Sequence, residues 1–388
     1  MSVLLAGYAR TPFAKFNGTL SAMPATALGA HAVRAALGRA QIGAEKVDAV
    51  YAGQVLQAAA GQNPARQTAA EADIPLGVPA LTINAVCLSG LLAISEGTRL
   101  IESGEADVVV AVGQESMSRA PHVWSGSREG RRYGAVELVD TLEFDGLTDA
   151  FQKRSMGAST QDFADAAFMS REEQDEWAAR SHRLLAESVG ELAGEIEPLV
   201  VRARRGDNIV DSDDGLRADT TVASLSRLSP AFSVTGTITA GNSSQITDGA
   251  AAVVLVHEDF SLQQPPLARV LSHSFVAGPD VSLLAQPARA ILAALAKIGR
   301  DPSDLIAVEI NEAFAAVVVE STRLLGVDAE IINPTGGAIA LGHPIGASGA
   351  RIVGTLARRL QSHGAGALGA AGICGGGGQG AAVVVESL

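Results

Sequence analysis

Cysteine is almost missing from this chain: Cys87 and Cys374 are the only two, far apart in sequence. Two thiols cannot build the bridged framework of a small secreted scaffold, and they suit a reducing cytoplasm, where the chain is expected to reside. Aromatic residues make up 4% and charged residues 18%, against 47% hydrophobic. The core must therefore be built from Ala, Val, Leu and Ile. Positive charge is in deficit, with 29 Lys and Arg against 42 Asp and Glu and a formal net charge of −13. No long basic run offsets this, which argues against nucleic acid or an anionic membrane surface as partner. An anionic ligand would need a local basic patch. A basic leader is also lacking. The opening stretch, Met1 to Arg10, has no basic n-region and too short an apolar run for a signal peptide, and it reads as a first β-strand. Gly364 to Val385 carries no charge over about twenty residues, roughly a membrane-spanning length. Gly375 to Gly378 interrupt it, so two buried strands joined by a glycine turn are expected, and no membrane span. Two separated cysteines and His343 lack the paired spacing of a zinc site, so no metal is expected.

What is present is length, glycine and apolar patterning. The 388 residues suffice for two or three domains, and 42 glycines imply many tight turns. Short apolar runs predict strands at Val3–Ala9, Val47–Val55, Ala80–Asn84 and Asp107–Gly113. Helical spacing predicts helices at Ala25–Ala40 and Pro64–Ala72, and a helix pattern that follows the stretch Asn84–Gly90 and runs to Glu102. This alternation implies a mostly parallel sheet covered by helices. From Ser118 to about Ser244 the pattern turns polar, with an arginine-rich loop at His122–Arg132 and a charged amphipathic helix over Arg171–Leu192. Ser170 and Glu173 form a capping box at that helix start. Buried-strand style returns at Asp248–Val256. A second half then repeats the first: strands at Ala268–Phe275 and Leu305–Ile310, helices at Pro287–Ile298 and Ala313–Leu325, a glycine-rich turn before a helix ending at Leu360, and strands at Ala367–Ile373 and Ala381–Val385. The predicted division is 1–117 plus 245–267, an insert at 118–244, and 268–388. Internal duplication of one αβ unit is the simplest account, with a site at the junction of the halves.

Four stretches carry chemistry-bearing residues. Cys87 follows a strand and opens a helix, where a cysteine pKa is expected to fall; a buried structural cysteine is the alternative. His343 is the one titratable side chain in the glycine-packed stretch Asn333 to Gly349, and glycines that bring backbone close commonly bring it close to a ligand. Cys374 precedes Gly375-Gly-Gly-Gly-Gln-Gly380, where bare N–H groups leave room for one. Asn311, after a strand and before a helix, could equally be an N-cap.

Together, Ile83-Asn-Ala-Val-Cys87-Leu-Ser-Gly90, Asn311-Glu-Ala-Phe314, Asn333-x-x-Gly-Gly-x-Ile-Ala-x-Gly-His343-Pro-x-Gly-x-Ser-Gly349 and Cys374-Gly-Gly-Gly-Gly-Gln-Gly380 resemble the active-site segments of the thiolases, in family order. Gly146–Phe151, Ser155–Gly157 and Thr239–Ser244 resemble parts of the family's insert. The resemblance covers essentially the whole chain. It implies an α/β fold of duplicated halves in α-β-α-β-α layers with an inserted loop domain. It also implies an acetyl-CoA C-acetyltransferase joining two acetyl-CoA into acetoacetyl-CoA and CoA, with a longer-chain 3-ketoacyl-CoA thiolase and a silent acyl-CoA-binding protein as alternatives. By the same resemblance Cys87 carries the acyl group and His343 takes its proton. Cys374 moves the α-carbon proton, Asn311 holds an oxyanion-hole water, and the N–H groups of Cys87 and Gly376 form a second oxyanion hole. Arg217, Ser224, Ala240, Gly241 and Ser244 stand where the family contacts CoA. Coenzyme A thioesters are the implied substrates, with no permanently bound cofactor, and a homodimer or homotetramer is implied. Ser155, Leu283–Pro287 and Gln379 depart from common family residues and bear on substrate choice.

Overall fold

The computed structural model describes residues 2–202 and 206–388. In the first half, strand β1 (Val3–Arg10) leads to helix α1 (Ala25–Ala40), then β2 (Ala49–Gly53), α2 (Pro64–Glu71), β3 (Ala80–Ile83), α3 (Ser89–Glu102) and β4 (Val108–Ser116). The intervening insert holds α4 (Met156–Ala166) and α5 (Arg171–Ala193). β5 (Thr247–His257) closes the first half. The second runs β6 (Ala268–Ala277), α6 (Gln286–Lys297), β7 (Leu305–Ile310), α7 (Ala315–Leu325), α8 (Ser348–Leu360), β8 (Leu368–Gly375) and β9 (Gln379–Glu386).

One ten-stranded sheet results, with main path β7-β8-β9-β6-β1-β5-β4-β2-β3. Its pairings mirror each other about the β1–β6 contact. β2 is parallel to β3 and β4, and β5 is antiparallel to β4 and β1. In the second half β7 is parallel to β8, and β9 is antiparallel to β8 and β6. Within the sheet the halves join through three residue pairs, Val3–Val270, Leu4–Arg269 and Leu5–Ala268. The counterpart of β3 has shrunk to a single parallel bridge, Val308–Ile332.

Three apolar clusters make the layers. α1 and α2 cover one outer face through Leu28, Val33 and Ala69. α6 and α7 cover the other through Ile291, Leu295 and Val318. Between the half-sheets lie α3 and α8, where Leu91, Ile94, Ile352 and Leu356 meet strands from both. Strands buried on both faces explain the continuous apolar runs of β4 and β5. The two central helices approach backbone to backbone. A Cβ on Gly90 would stand 2.7 Å from the Gly346 carbonyl, and one on Gly349 2.3 Å from the Leu91 nitrogen. Only glycine permits this contact.

Element ends differ from the sequence reading by a few residues, because ladder partners extend strands into polar residues such as Gln114 and Glu115. The uncharged stretch after Gly364 forms β8 and β9 with a turn between them, and no described helix is long and apolar enough to cross a membrane. The capping box at Ser170 is present with both hydrogen bonds. Helix α4 was not expected. Its apolar positions are few, and Ser155 starts it by accepting from the Ala158 N–H at 3.2 Å. Most of the insert's apolar residues join cores of the two halves: Trp177 and Leu225 pack with the second, and Leu199 and Val210 with the first.

Candidate active site

Cys87 ends a tight turn between β3 and α3. Val86 before it takes φ +54°, a strained value for a β-branched residue. The strain is held by local bonds. Asn84 Oδ1 accepts the Val86 N–H at 3.0 Å, and Ser89 Oγ donates to the Val86 carbonyl at 2.6 Å. The Ser89 hydroxyl also accepts the Ala85 N–H at 2.9 Å. The side chain is thereby turned towards the β8–β9 turn. A Cβ on Gly375 would press on Leu88, whereas one on Gly376 would stand at ordinary contact distance, 3.5 Å, from Val86.

The electrostatics of Cys87 reverse the expectation of a lowered pKa. Burial pushes the thiol up to about 12, and the Glu115 charge adds to the rise. The N–H groups of Cys87 and Gly376 act on the sulfur in the expected, opposite direction but are outweighed. Cys374 is fully buried beside Leu283, Leu284 and Ala313. Burial also pushes its thiol up, and Cys87 lies close enough for its charge to add to the rise.

His343 is buried, and desolvation, with a smaller push from Arg351, lowers its pKa to about 3. It is therefore a neutral base. Ser348 Oγ donates to the Pro344 carbonyl at 3.1 Å and lies 2.6 Å from His343 Nδ1. In the tautomer in which that hydroxyl accepts Nδ1–H, Nε2 is left to receive a proton. The Asn311 amide nitrogen sits 3.4 Å from both ring nitrogens, and its Oδ1 is buried with no partner among the described residues. Asn311 is not an N-cap, since α7 is capped by Phe314 without a side-chain bond. Next to it, Glu312 accepts from Trp177 Nε1, Ser181 Oγ, Asn333 Nδ2 and the Ile339 N–H, at 2.7 to 3.1 Å. These bonds tie the insert helix α5 to the loop carrying His343.

The residues expected to meet CoA border these loops. Ser244 donates its N–H to the Ala313 carbonyl at 3.0 Å, next to Asn311 and Glu312. Ala240 is exposed; a Cβ on buried Gly241 would stand 2.5 Å from a Leu225 methyl, beside exposed Ser224. Arg217 is exposed, but its backbone is pinned: its N–H donates to His182 Nδ1 at 3.3 Å, and Gln245 Nε2 donates to the Gly215 carbonyl at 2.8 Å. Of the departing residues, Ser155 caps α4, Leu283 and Leu284 pack with Cys374, and Gln379 lines a cavity of about 820 Å³ shared with Val55, Val86, Phe151, Met156 and Gly376.

Sequence reasoning gave no role to Ser348 or Glu115. Ser348 lay inside a quoted motif. Glu115 carried one signal, a carboxylate in the polar last three residues of a long apolar strand.

Two thiols, a neutral imidazole and bare N–H groups gather in one place, and comparison with known proteins gives the family: the chain belongs to the thiolases, which are acyltransferases. The family's N-terminal domain matches residues 3–259 and its C-terminal domain residues 264–387. The chain is 50% identical to a probable acetyl-CoA acetyltransferase of Mycolicibacterium smegmatis, over 99% of this chain and 100% of that one. It is 44% identical to the acetyl-CoA acetyltransferase of Cupriavidus necator, over 99% of each. Among solved structures, the human mitochondrial 3-ketoacyl-CoA thiolase superposes with TM-score 0.95 at 36% identity, covering 100% of this chain and 99% of that one. The Bacillus anthracis acetyl-CoA acetyltransferase gives the same score and coverage at 34% identity.

Proposed function

We propose that this chain is an acetyl-CoA C-acetyltransferase, joining two acetyl-CoA into acetoacetyl-CoA and CoA through an acyl group on Cys87, reversibly. The observation that carries the reading is the placement of Cys87: its sulfur faces the N–H groups of Cys87 and Gly376, and its charge reaches Cys374. Cys87 Sγ attacks the thioester carbonyl while His343 Nε2 takes the thiol proton. The C–S bond to CoA breaks, and CoA leaves as its thiol with a proton from Cys374, which is left as the thiolate while His343 keeps the proton of Cys87. Cys374, as thiolate, then takes the α-proton of a second acetyl-CoA. The enolate carbon attacks the acyl-Cys87 carbonyl, the new C–C bond forms, and Cys87 departs with its electron pair and regains its proton from His343, while Cys374 keeps the α-proton, so both thiols and the imidazole return to their starting states. A buried thiol of raised pKa resists ionisation, so the nucleophile needs a base within reach rather than a standing thiolate. The N–H donors meet the developing oxyanion, a term often worth ~3–4 kcal/mol. In the other half-reaction, His343 and a water on Asn311 would serve the enolate oxygen.

In this reading Arg217, Ser224, Ala240, Gly241 and Ser244 hold CoA, which places the insert 118–244 around the nucleotide. A cytoplasmic homo-oligomer, dimer or tetramer, fits the high apolar content. A longer-chain 3-ketoacyl-CoA thiolase is the second reading. It is favoured by the cavity beside Val86 and Gly376 and by the likeness to the human 3-ketoacyl-CoA thiolase. Brief incubation with acetyl-CoA, acid quench and peptide mass spectrometry should place the acetyl group on Cys87. Absence of any acyl-enzyme would leave only a binding protein. Rates across acyl-CoA chain lengths should then fall beyond acetoacetyl-CoA, and a maximum at longer chains would select the second reading.

A further inference from the structure

Glu115 is a buried carboxylate with no cation in ion-pair reach among the described residues. An unpaired buried charge is expensive unless several donors hold it. Here three backbone N–H groups do: Val55 at 3.0 Å, Leu56 at 3.2 Å and Gly346 at 2.9 Å. Val55 and Leu56 follow β2 in the first half. Gly346 belongs to the His343 loop of the second, where a Cβ would stand 2.7 Å from the carboxylate oxygen. The side chains of Val55, Leu56 and Ile345, next to those three amides, form with Met117 and Leu142 the apolar cluster against which Cys87 packs. The group that holds the amides therefore sets the wall of the nucleophile.

We propose that Glu115 is a positioning residue for acyl transfer: by gathering amides from both halves, it fixes the wall that aims Cys87 Sγ at the thioester and keeps the His343 loop in register with it. The proposal rests on Cys87 being the acylated residue. Its carboxylate also raises the Cys87 thiol, which disfavours the free thiolate relative to the neutral thioester. The charge of buried Asp248, like burial itself, raises the Glu115 pKa.

Two variants separate position from charge. Glu115→Gln turns an NH2 towards one of three donors. Single-turnover acetylation of Cys87 should slow by roughly 10- to 100-fold per folded molecule, as a small misplacement costs. The pH midpoint for iodoacetamide alkylation of the Cys87 peptide should move down by on the order of one unit. Glu115→Asp keeps the charge but is one methylene short. Its acetylation should slow with the alkylation midpoint unmoved, and this variant decides the matter if the first does not fold. Acetylation at the parent rate in both variants overturns the proposal. So does loss of activity merely in proportion to unfolded protein with an unshifted midpoint. Failure of the parent protein itself to label at Cys87 would instead overturn the underlying functional reading.

Discussion

The two halves share one element order and one mirrored pairing scheme, yet they treat the turn before their central helix differently. In the first half a paired strand, β3, leads into a five-residue turn, and Cys87 emerges half-buried at the helix start. In the second that strand has dwindled to the Val308–Ile332 bridge, and a long glycine-rich loop wraps buried His343. Cys374 comes from the end of strand β8 in the second half. In the proposed mechanism the halves divide the labour: one presents the nucleophile, and the other surrounds it with groups that accept protons. Duplication supplies two helix starts that meet through Gly90 and Gly349. Divergence of the preceding turn supplies the chemistry.

The sharpest way to break this division is to exchange roles. Cys87→Ser should lower acyl transfer by at least ~10⁴-fold, since a serine hydroxyl is far harder to ionise than a thiol. Acetylated protein after quench, with the label elsewhere, would place the nucleophile in the other half. His343→Ala should lose acetylation and condensation together. Cys374→Ala should still accept acetyl from acetyl-CoA but lose condensation and α-proton exchange into deuterated water. Near-normal condensation by Cys374→Ala would reduce that thiol to packing.

Glycines test which contacts join the halves and which serve the substrate. Gly349→Ala drives a Cβ against the Leu91 nitrogen and should cost about 3 kcal/mol of stability or more by denaturant unfolding. Gly376→Ala meets only ordinary contacts, so its stability should stay within about 1 kcal/mol of the parent. Its acyl transfer should nevertheless fall by roughly 10-fold or more, because the methyl occupies space at the oxyanion donor. Equal destabilisation of the two variants would erase the distinction.

The carboxylate that gathers both halves also leaves a pH signature. Glu115 is raised from 4.5 to about 7, so the folded protein holds its proton more tightly than the unfolded chain. Its contribution to stability is full below pH 4.5 and is lost as pH rises through 7. Relative to Glu115→Gln, the parent should lose on the order of a few kcal/mol between about pH 5 and pH 8 in denaturant melts. A parallel pH dependence in the two proteins would contradict this. The smallest effect is expected at the insert. Arg217→Ala should raise KM for CoA thioesters about threefold to fivefold with kcat kept, as befits an exposed charge contact. A drop in kcat alone would place Arg217 nearer the chemistry.

Much of the fold was legible because strands buried on both faces must be apolar throughout and amphipathic helices must repeat at helical spacing. Leu305–Ile310 and Ala25–Ala40 were read to the residue for this reason. Helix α4 was not, since its start depends on a cap at Ser155 and its packing on partners distant in the chain. The lowered pKa expected for Cys87 also failed. A helix start is visible in sequence, whereas the burial that outweighs it is not.

By itself the sequence determined the duplicated α/β plan and the four chemistry-bearing stretches from which the proposed reacting side chains come, because periodicity and residue type are local properties. Only the tertiary structure decided the protonation chemistry. His343 becomes a neutral base because burial and Arg351 act on it, and Cys87 keeps its proton because desolvation and Glu115 outweigh two N–H groups. Solvent exclusion and the convergence of charges from Glu115 to Cys374 are set by the packing of the two halves, and no stretch of chain encodes them alone.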